Sequence, residues 1–219
     1  MIEIRPKDNS ADALRLDEKF LWWQNEQIPL EDIFGIAFSF SKGGGNLGIL
    51  ESRRGYVALR TSLKTVRITA TTYNFFGRDK SHDNMKDIVN IILRNIGPRI
   101  LARLVHHVFV DRQRIVIGSL CIAVDGIAHR SLLGGETFVP WSWSPSVFYG
   151  TTMHWKWSTW SWWDIPRALQ IHYIQTVGGP SERYDFKNRK SKTLCTVLPN
   201  EENAFAVEPL LDYGVNASR

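Results

Sequence analysis

The sequence predicts an α+β fold, mainly β, in which a run of antiparallel strands followed by one amphipathic helix occurs twice. Three observations predict it. Residues 115–143 have the pattern of three short strands joined by tight turns at Asp125-Gly126 and Gly134-Gly135. Residues 13–33 show the same order of apolar and polar segments. Helical periodicity follows each group of strands, at residues 85–96 and 204–211.

Matched landmarks indicate an internal duplication. Pro29 and Pro140 follow equivalent strands, and the strand that begins at Lys64 corresponds to the one that begins at Lys192. The two landmarks are 35 positions apart in the first copy and 52 in the second, so the second copy carries 17 extra residues. The tryptophan-rich segment falls inside that interval. We therefore expect a first module at 1–97, a connecting helix at 98–110 and a second module with a Trp-rich insertion at 111–219.

The first copy is predicted to contain a series of short strands before its helix. An edge strand is expected at residues 2–5, and residues 35–40 alternate like a half-buried strand. The glycines after Lys42 predict a flexible loop without the spacing of a phosphate-binding loop. Further strands are predicted at 47–50, at 56–60 after a turn at 52–55, and at 64–71.

The helices are predicted from apolar periodicity and from capping residues. Met85, Ile88 and Ile92 belong to one apolar face, Ser81 or Asp83 can cap its start, and Gly97-Pro98 ends it. In the second copy, a hairpin is predicted between 169–175 and 183–186, and a last strand at 192–198. Asn200 is predicted to cap a short helix that Pro209 would kink or limit to about two turns.

Composition indicates a globular protein with a mild basic excess. The chain is 43% hydrophobic and 22% charged, so each half can bury a core. The net charge of +5 is spread along the chain rather than gathered in one run, which argues against a nucleic-acid partner. Cys121 and Cys195 each lie in an apolar strand, predicting reduced, buried thiols and a cytoplasmic location. The first residues lack the apolar core of a signal peptide, and we expect no transmembrane segment.

The order of strands and helix in each half resembles the bacterial pleckstrin-homology-like (PH-like) domain. Residues 16–21 with 28–33, and 124–127 with 139–142, carry the resemblance. It implies two modules, each a bent antiparallel sheet or small barrel closed by a C-terminal amphipathic helix. It also implies a binding function toward phosphoinositides, peptides or partner domains. Phosphoinositide-binding members use basic residues in the first hairpin loop, whereas Asp17-Glu18-Lys19 and Asp125-Gly126 are acidic here.

The tryptophan-rich segment is the main candidate contact. If Ser158-Thr159 forms a turn, four indoles can pair across a hairpin. Such a surface is either buried against the rest of the chain or used for a protein or membrane interface. A neighbouring basic run is either a solvated turn or a phosphate contact. The predicted binding residues are Trp155, Trp157, Trp160, Trp162, Trp163, Lys187, Arg189 and Lys190.

No catalytic residue, metal ligand or cofactor is predicted. His106 and His107 are adjacent, no cysteine pair suggests zinc, and no nucleophile motif is present. The expected function is a non-enzymatic binding or scaffold protein. Its partner is expected to be a protein or a second copy first, and a peripheral anionic membrane surface second. The alternatives are an enzyme with a pocket between the modules, or a nucleic-acid-binding protein.

Overall fold

The computed structural model describes residues 1–6, 12–44, 51–74, 81–130, 135–150, 153–154, 163–164, 168–173, 192–198 and 200–218. Within these residues the chain is α+β and mainly β, with antiparallel sheets, which confirms the predicted fold class at that level. The chain divides into two compact units. Unit 1 comprises Met1–Ile100 and Thr151–Arg167, and unit 2 comprises Leu101–Gly150 and Ala168–Arg219. The predicted module boundaries remain a prediction.

The secondary-structure elements of the described residues are numbered in chain order. The strands are β1 (Ile2–Ile4), β2 (Leu14–Leu16), β3 (Phe20–Trp23), β4 (Glu26–Pro29), β5 (Ile33–Gly44), β6 (Glu51–Thr61), β7 (Thr65–Asn74), β8 (Ile115–Ile117), β9 (Leu120–Ala123), β10 (Gly126–Arg130), β11 (Glu136–Pro140), β12 (Ser146–Gly150), β13 (Met153–His154), β14 (Trp163–Asp164), β15 (Ala168–Tyr173) and β16 (Lys192–Val197). The α-helices are α1 (Ser81–Asn95), α2 (Gly97–Val105) and α3 (Val207–Ala217). A π-helical turn at His106–Val110 follows α2, and 3₁₀ helices lie at Leu30–Asp32, Trp141–Trp143 and Ala204–Ala206.

Unit 1 contains a four-stranded meander followed by a three-stranded sheet. The first sheet has the order β1-β2-β3-β4 and the second the order β5-β6-β7, while β13 and β14 pair with each other. The turn between β3 and β4 has positive φ at Gln24 (49°) and Asn25 (65°), as a tight hairpin turn requires. Successive side chains of a strand point to opposite faces of the sheet, and this alternation places Leu14, Leu16 and Leu21 in the core of the unit.

Helix α1 packs its predicted apolar face against β6 and β7. Met85, Ile88, Ile92 and Ile96 are all fully buried, which confirms the periodicity seen in the sequence. Gly55 of β6 allows the close approach, because a Cβ atom there would lie 3.1 Å from Cβ of Met85. The helix is thereby held on the second sheet of unit 1.

Unit 2 has the same order of elements. A meander ordered β8-β9-β10-β11 precedes the 3₁₀ helix Trp141–Trp143, a sheet ordered β12-β15-β16 follows, and α3 ends the unit. Pro29 and Pro140 end the fourth strands of their meanders, and each directly precedes a 3₁₀ helix. Among the described residues of either unit, no sheet closes on itself.

The structure corrects several local predictions in the strands. Residues 115–143 contain four strands rather than three, because Gly118 adopts φ +60° and turns the chain between β8 and β9. The predicted turn at 52–55 is wrong, since β6 is continuous there and pairs on both sides with β5 and β7. Lys42 likewise lies within β5 rather than in a loop.

Strand β15 lies between β12 and β16, and residues 183–186, the other strand of the predicted hairpin, lie outside the described part of the chain. Two predictions about the end of the chain are wrong. Pro209 does not limit α3, which runs for 11 residues. The proline occupies the first turn, where its missing N–H would have no intrahelical partner. Asn200 lies in a turn four residues before the 3₁₀ helix Ala204–Ala206, so it caps no helix.

Candidate binding site around the first hairpin of unit 1

The loop between β2 and β3 is fixed by the side chain that begins it. Oδ1 of Asp17 accepts hydrogen bonds from the backbone N–H groups of Lys19 and Phe20, both at 2.8 Å. The backbone N–H of Asp17 donates to the carbonyl of Phe20 at 3.0 Å. The bonds from Lys19 and Phe20 lower the pKa of the Asp17 carboxyl, so this loop carries a negative charge at neutral pH. The loop therefore has a defined backbone shape.

Two contacts from distant parts of unit 1 hold the same loop. Nη2 of Arg99, in α2, donates to the carbonyl of Glu18 at 3.0 Å. The backbone N–H of Leu30 donates to the carbonyl of Lys19 at 2.9 Å. The side chains of Glu18 and Lys19 are themselves exposed. A rigid backbone thus presents one acidic and one basic side chain to solvent.

Two open clefts of about 450 Å³ and about 400 Å³ adjoin this loop and share Glu18, Lys19 and Phe20. The larger cleft has apolar lining from Met1 and Ile2, which are 87% and 41% exposed. The smaller cleft adds the charged side chains of Glu31 and Arg99. We call these two clefts together the hairpin site. Its apolar floor and its rim of both charges suit a peptide segment better than a polyanion.

A third cleft of about 320 Å³ lies between β4 and the β6–β7 turn. An ion pair between Nζ of Lys64 and Glu26 bridges its two sides. Leu63 lines this cleft and is 92% exposed. One exposed leucine is common on protein surfaces, so this cleft is a weaker candidate than the hairpin site.

Most of the binding residues predicted from the sequence lie outside the described residues. These are Trp155, Trp157, Trp160, Trp162, Lys187, Arg189 and Lys190. The backbone of Trp163 lies in β14, which pairs with β13, but its side chain is not described. The Trp-rich contact therefore stays a prediction. The hairpin site was missed, because the sequence shows the acidic loop but not that Arg99 and Met1 lie beside it.

The thiols of unit 2 have surroundings that suppress reactivity. Burial raises the pKa of Cys195 to about 11, although a hydrogen bond with Ser119 acts in the opposite direction. Burial also raises the pKa of Cys121. Both cysteines are free, and both are protonated at neutral pH, whereas a thiolate is the reactive form. The arrangement therefore does not activate either thiol as a nucleophile.

Within the described part of the chain, no group of three or more His, Cys, Asp and Glu side chains is placed to hold a metal ion. No helix among the described residues has the length and apolar character needed to cross a bilayer. No protein-family model, curated protein or solved structure matches the chain.

Proposed function

We propose that the chain is a non-enzymatic binding or scaffold protein of the cytoplasm, built from two PH-like modules. Its partner is a protein in the first place and an anionic membrane surface in the second. The repeated order of meander, 3₁₀ helix, three-stranded sheet and helix supports the PH-like assignment. The two free, buried or half-buried thiols suit a reducing compartment.

The hairpin site is the observation that carries this proposal. Its loop is held by Asp17, Arg99 and Leu30, so little conformational entropy is lost when a partner binds. Phe20, Met1 and Ile2 offer apolar area for an anchoring side chain. A binding surface of this kind combines an apolar centre with a polar rim.

Charge favours a protein partner over a membrane at this site. Asp17 and Glu18 lie in the loop itself, and Glu31 lines the adjoining cleft. Anionic headgroups would be repelled by these carboxylates, whereas a peptide with a basic residue beside an apolar one would be attracted. The Trp-rich segment with Lys187, Arg189 and Lys190 remains the proposed second contact.

Photocrosslinking in living cells of the source species tests the proposal. A benzophenone amino acid replaces Lys19 in one variant and, as a matched control, Asp125 in the equivalent loop of unit 2. We expect a discrete crosslinked protein from position 19, reduced by a second substitution, Phe20→Ala. Equal crosslinking from positions 19 and 125 would contradict the hairpin site. Cosedimentation with phosphatidylserine vesicles, abolished by Lys19→Glu, would establish the membrane alternative instead.

A further inference from the structure

The four-stranded meander of unit 2 carries an apolar row on the face opposite its core. The core face is formed by residues such as Ile122, Ile127 and Val139, all fully buried. Side chains alternate between faces along a strand, so the neighbouring positions point outward. One residue from each strand lies directly opposite the next across the sheet, and these four apolar residues are Val116, Cys121, Ala128 and Phe138. The two ends of this row are exposed, at 69% for Val116 and 44% for Phe138, whereas Cys121 is half-buried and Ala128 is buried.

The equivalent row in unit 1 is polar at three of its four positions. It is formed in the same register by Glu3, Arg15, Trp22 and Gln27. Nε of Arg15 and Oε2 of Glu3 form an ion pair at 3.0 Å. An antiparallel sheet with one face in water normally has polar residues on that face, and unit 1 follows this rule at Glu3, Arg15 and Gln27. Unit 2 has Val116, Cys121 and Phe138 at these three positions, although the strand order and pairing are the same.

The ring of Phe138 lies over the neighbouring strand β10. A Cβ atom added to Gly126 would lie 2.8 Å from Cζ of Phe138, so the ring lies against the glycine backbone. Glycine at this point lets the ring cover the sheet rather than extend into solvent. The partly exposed ring therefore presents apolar area on the outer face of the sheet.

The charges around the row are balanced. Arg114, Asp125 and Glu136 all act electrostatically on the thiol of Cys121 in the centre of the row. Arg130 lies directly opposite Glu136 across β10 and β11. Two basic and two acidic residues thus surround an uncharged centre. A strongly acidic or strongly basic partner gains little from such a rim, whereas a two-fold arrangement sets basic residues of one copy against acidic residues of the other.

We propose that the outer face of β8–β11 is a self-association surface that pairs with the same face of a second copy of this chain. Two sheets pack face to face at about 10 Å, with side chains of the two rows interdigitating. Four strands spaced about 4.8 Å apart give a narrow patch, smaller than the roughly 800 Å² per partner of a standard interface. The dimer is therefore weak and reverses on dilution. This inference does not depend on the hairpin site.

Sedimentation velocity of the full chain across a concentration series tests it. Wild type is expected to shift from monomer to dimer as concentration rises. Phe138→Lys and Val116→Lys each place a charge in the interface, and both variants are expected to stay monomeric at every concentration. Gln27→Lys is the matched control, because Gln27 occupies the position of Phe138 in the other sheet. It is expected to associate like wild type.

Circular dichroism and urea unfolding test whether the variants are folded. The Val116→Lys variant is expected to fold, because the side chain of Val116 is mostly exposed. A wild-type chain that is monomeric throughout the series would overturn the proposal. So would association that survives both lysine substitutions, since another surface would then mediate it. If only the Gln27→Lys variant lost association, the contact would lie in unit 1. This result would also overturn the proposal. None of these outcomes alters the crosslinking expected from position 19.

Discussion

At the scale of single residues, Gly118 explains why a carboxyl group can be buried in unit 2. Its φ of +60° turns the chain between β8 and β9. A Cβ atom at this position would lie 1.4 Å from Oε2 of Glu201, so only glycine leaves space for the carboxyl. Oε2 is buried and has no hydrogen-bond partner among the described residues. An unpaired charge in such a place is costly, and the neutral form is favoured.

The pKa of Glu201 is raised accordingly, mainly by burial, with a backbone hydrogen bond at Leu198 opposing the effect. A raised pKa means that the folded state holds a proton that the unfolded state has already released. Stability therefore falls as pH rises above the ordinary carboxyl range, until the folded carboxyl is ionised. Glu201→Gln removes the ionisation, so the variant should gain stability relative to wild type as pH rises, and the gain should then level off.

Urea unfolding from about pH 4 to about pH 8 measures this difference in the free energy of unfolding. Glu202→Gln makes the same chemical change one residue further along and serves as the control. Cys195 in β16 interacts electrostatically with Glu201, and its thiol stays protonated over this range. A difference between Glu201→Gln and wild type that is constant with pH would refute the explanation.

At the scale of elements, α3 makes one especially close contact, with the indole of Trp141. The indole of Trp141 is 4% exposed, and its Nε1 donates to the carbonyl of Val124 at 3.0 Å. Phe109 packs beside it, with ring centroids 6.1 Å apart. A Cβ atom on Gly214 of α3 would lie 2.6 Å from the indole ring. The ring cannot move away easily, because the hydrogen bond and Phe109 both hold it.

Gly214→Ala should therefore destabilise the protein, although alanine favours a helix over glycine by about 1 kcal/mol. Overpacking a core costs about 1–3 kcal/mol, so after the gain in helix propensity we expect a net loss of up to about 2 kcal/mol in the free energy of unfolding. Asn216→Ala is the control, since Asn216 is exposed on the same helix and gains propensity without a clash. If the Gly214→Ala variant were at least as stable as the Asn216→Ala variant, the contact between α3 and Trp141 would be unimportant for stability.

Elements with a clear periodicity of apolar residues were predictable from the sequence. Elements that depend on pairing between strands distant in sequence were not. The apolar positions of α1, such as Met85 and Ile92, reveal its buried face directly. The turn at Gly118 was hidden in one long apolar run, where only the backbone angle separates β8 from β9. Residues 52–55 look like a turn, but strands on both sides supply their hydrogen bonds.

The two surfaces proposed for binding also could not be predicted from the sequence. The hairpin site needs Arg99 to reach Glu18, 81 positions away, and no local pattern signals that contact. The apolar row of unit 2 appears only when the pairing of four strands is known. Val116 and Phe138 are unremarkable hydrophobic residues until the register places them on the outer face.

At the scale of the whole molecule, one segment of the chain interrupts unit 2. Pro29 and Lys64 are 35 positions apart, whereas Pro140 and Lys192 are 52 positions apart, a difference of 17. The segment Thr151–Arg167, which groups with unit 1, falls in this interval and has the same length. Unit 2 is thus discontinuous in sequence, with its meander before this segment and β15, β16 and α3 after it.

Each unit has its own buried core, and this predicts that the two respond separately to damage. Ile68 of β7 and Ile122 of β9 are both fully buried. Substituting either residue by alanine should lower the free energy of unfolding by about 2–4 kcal/mol, because apolar contacts are lost and a cavity remains. Ile122 belongs to a core cluster whose members all lie in unit 2. Hydrogen exchange measured by mass spectrometry can assign the loss to one unit.

Ile68→Ala should accelerate amide exchange in β5, β6 and β7 and leave the protection of β9 and β10 unchanged. Ile122→Ala should do the reverse, since global opening of unit 2 would then need less free energy than opening of unit 1. The surface substitution Gln27→Lys controls for changes unrelated to the cores. If either core variant accelerated exchange equally in both units, the chain would unfold as one cooperative body. The two cores would then be independent in sequence and structure but not in energy.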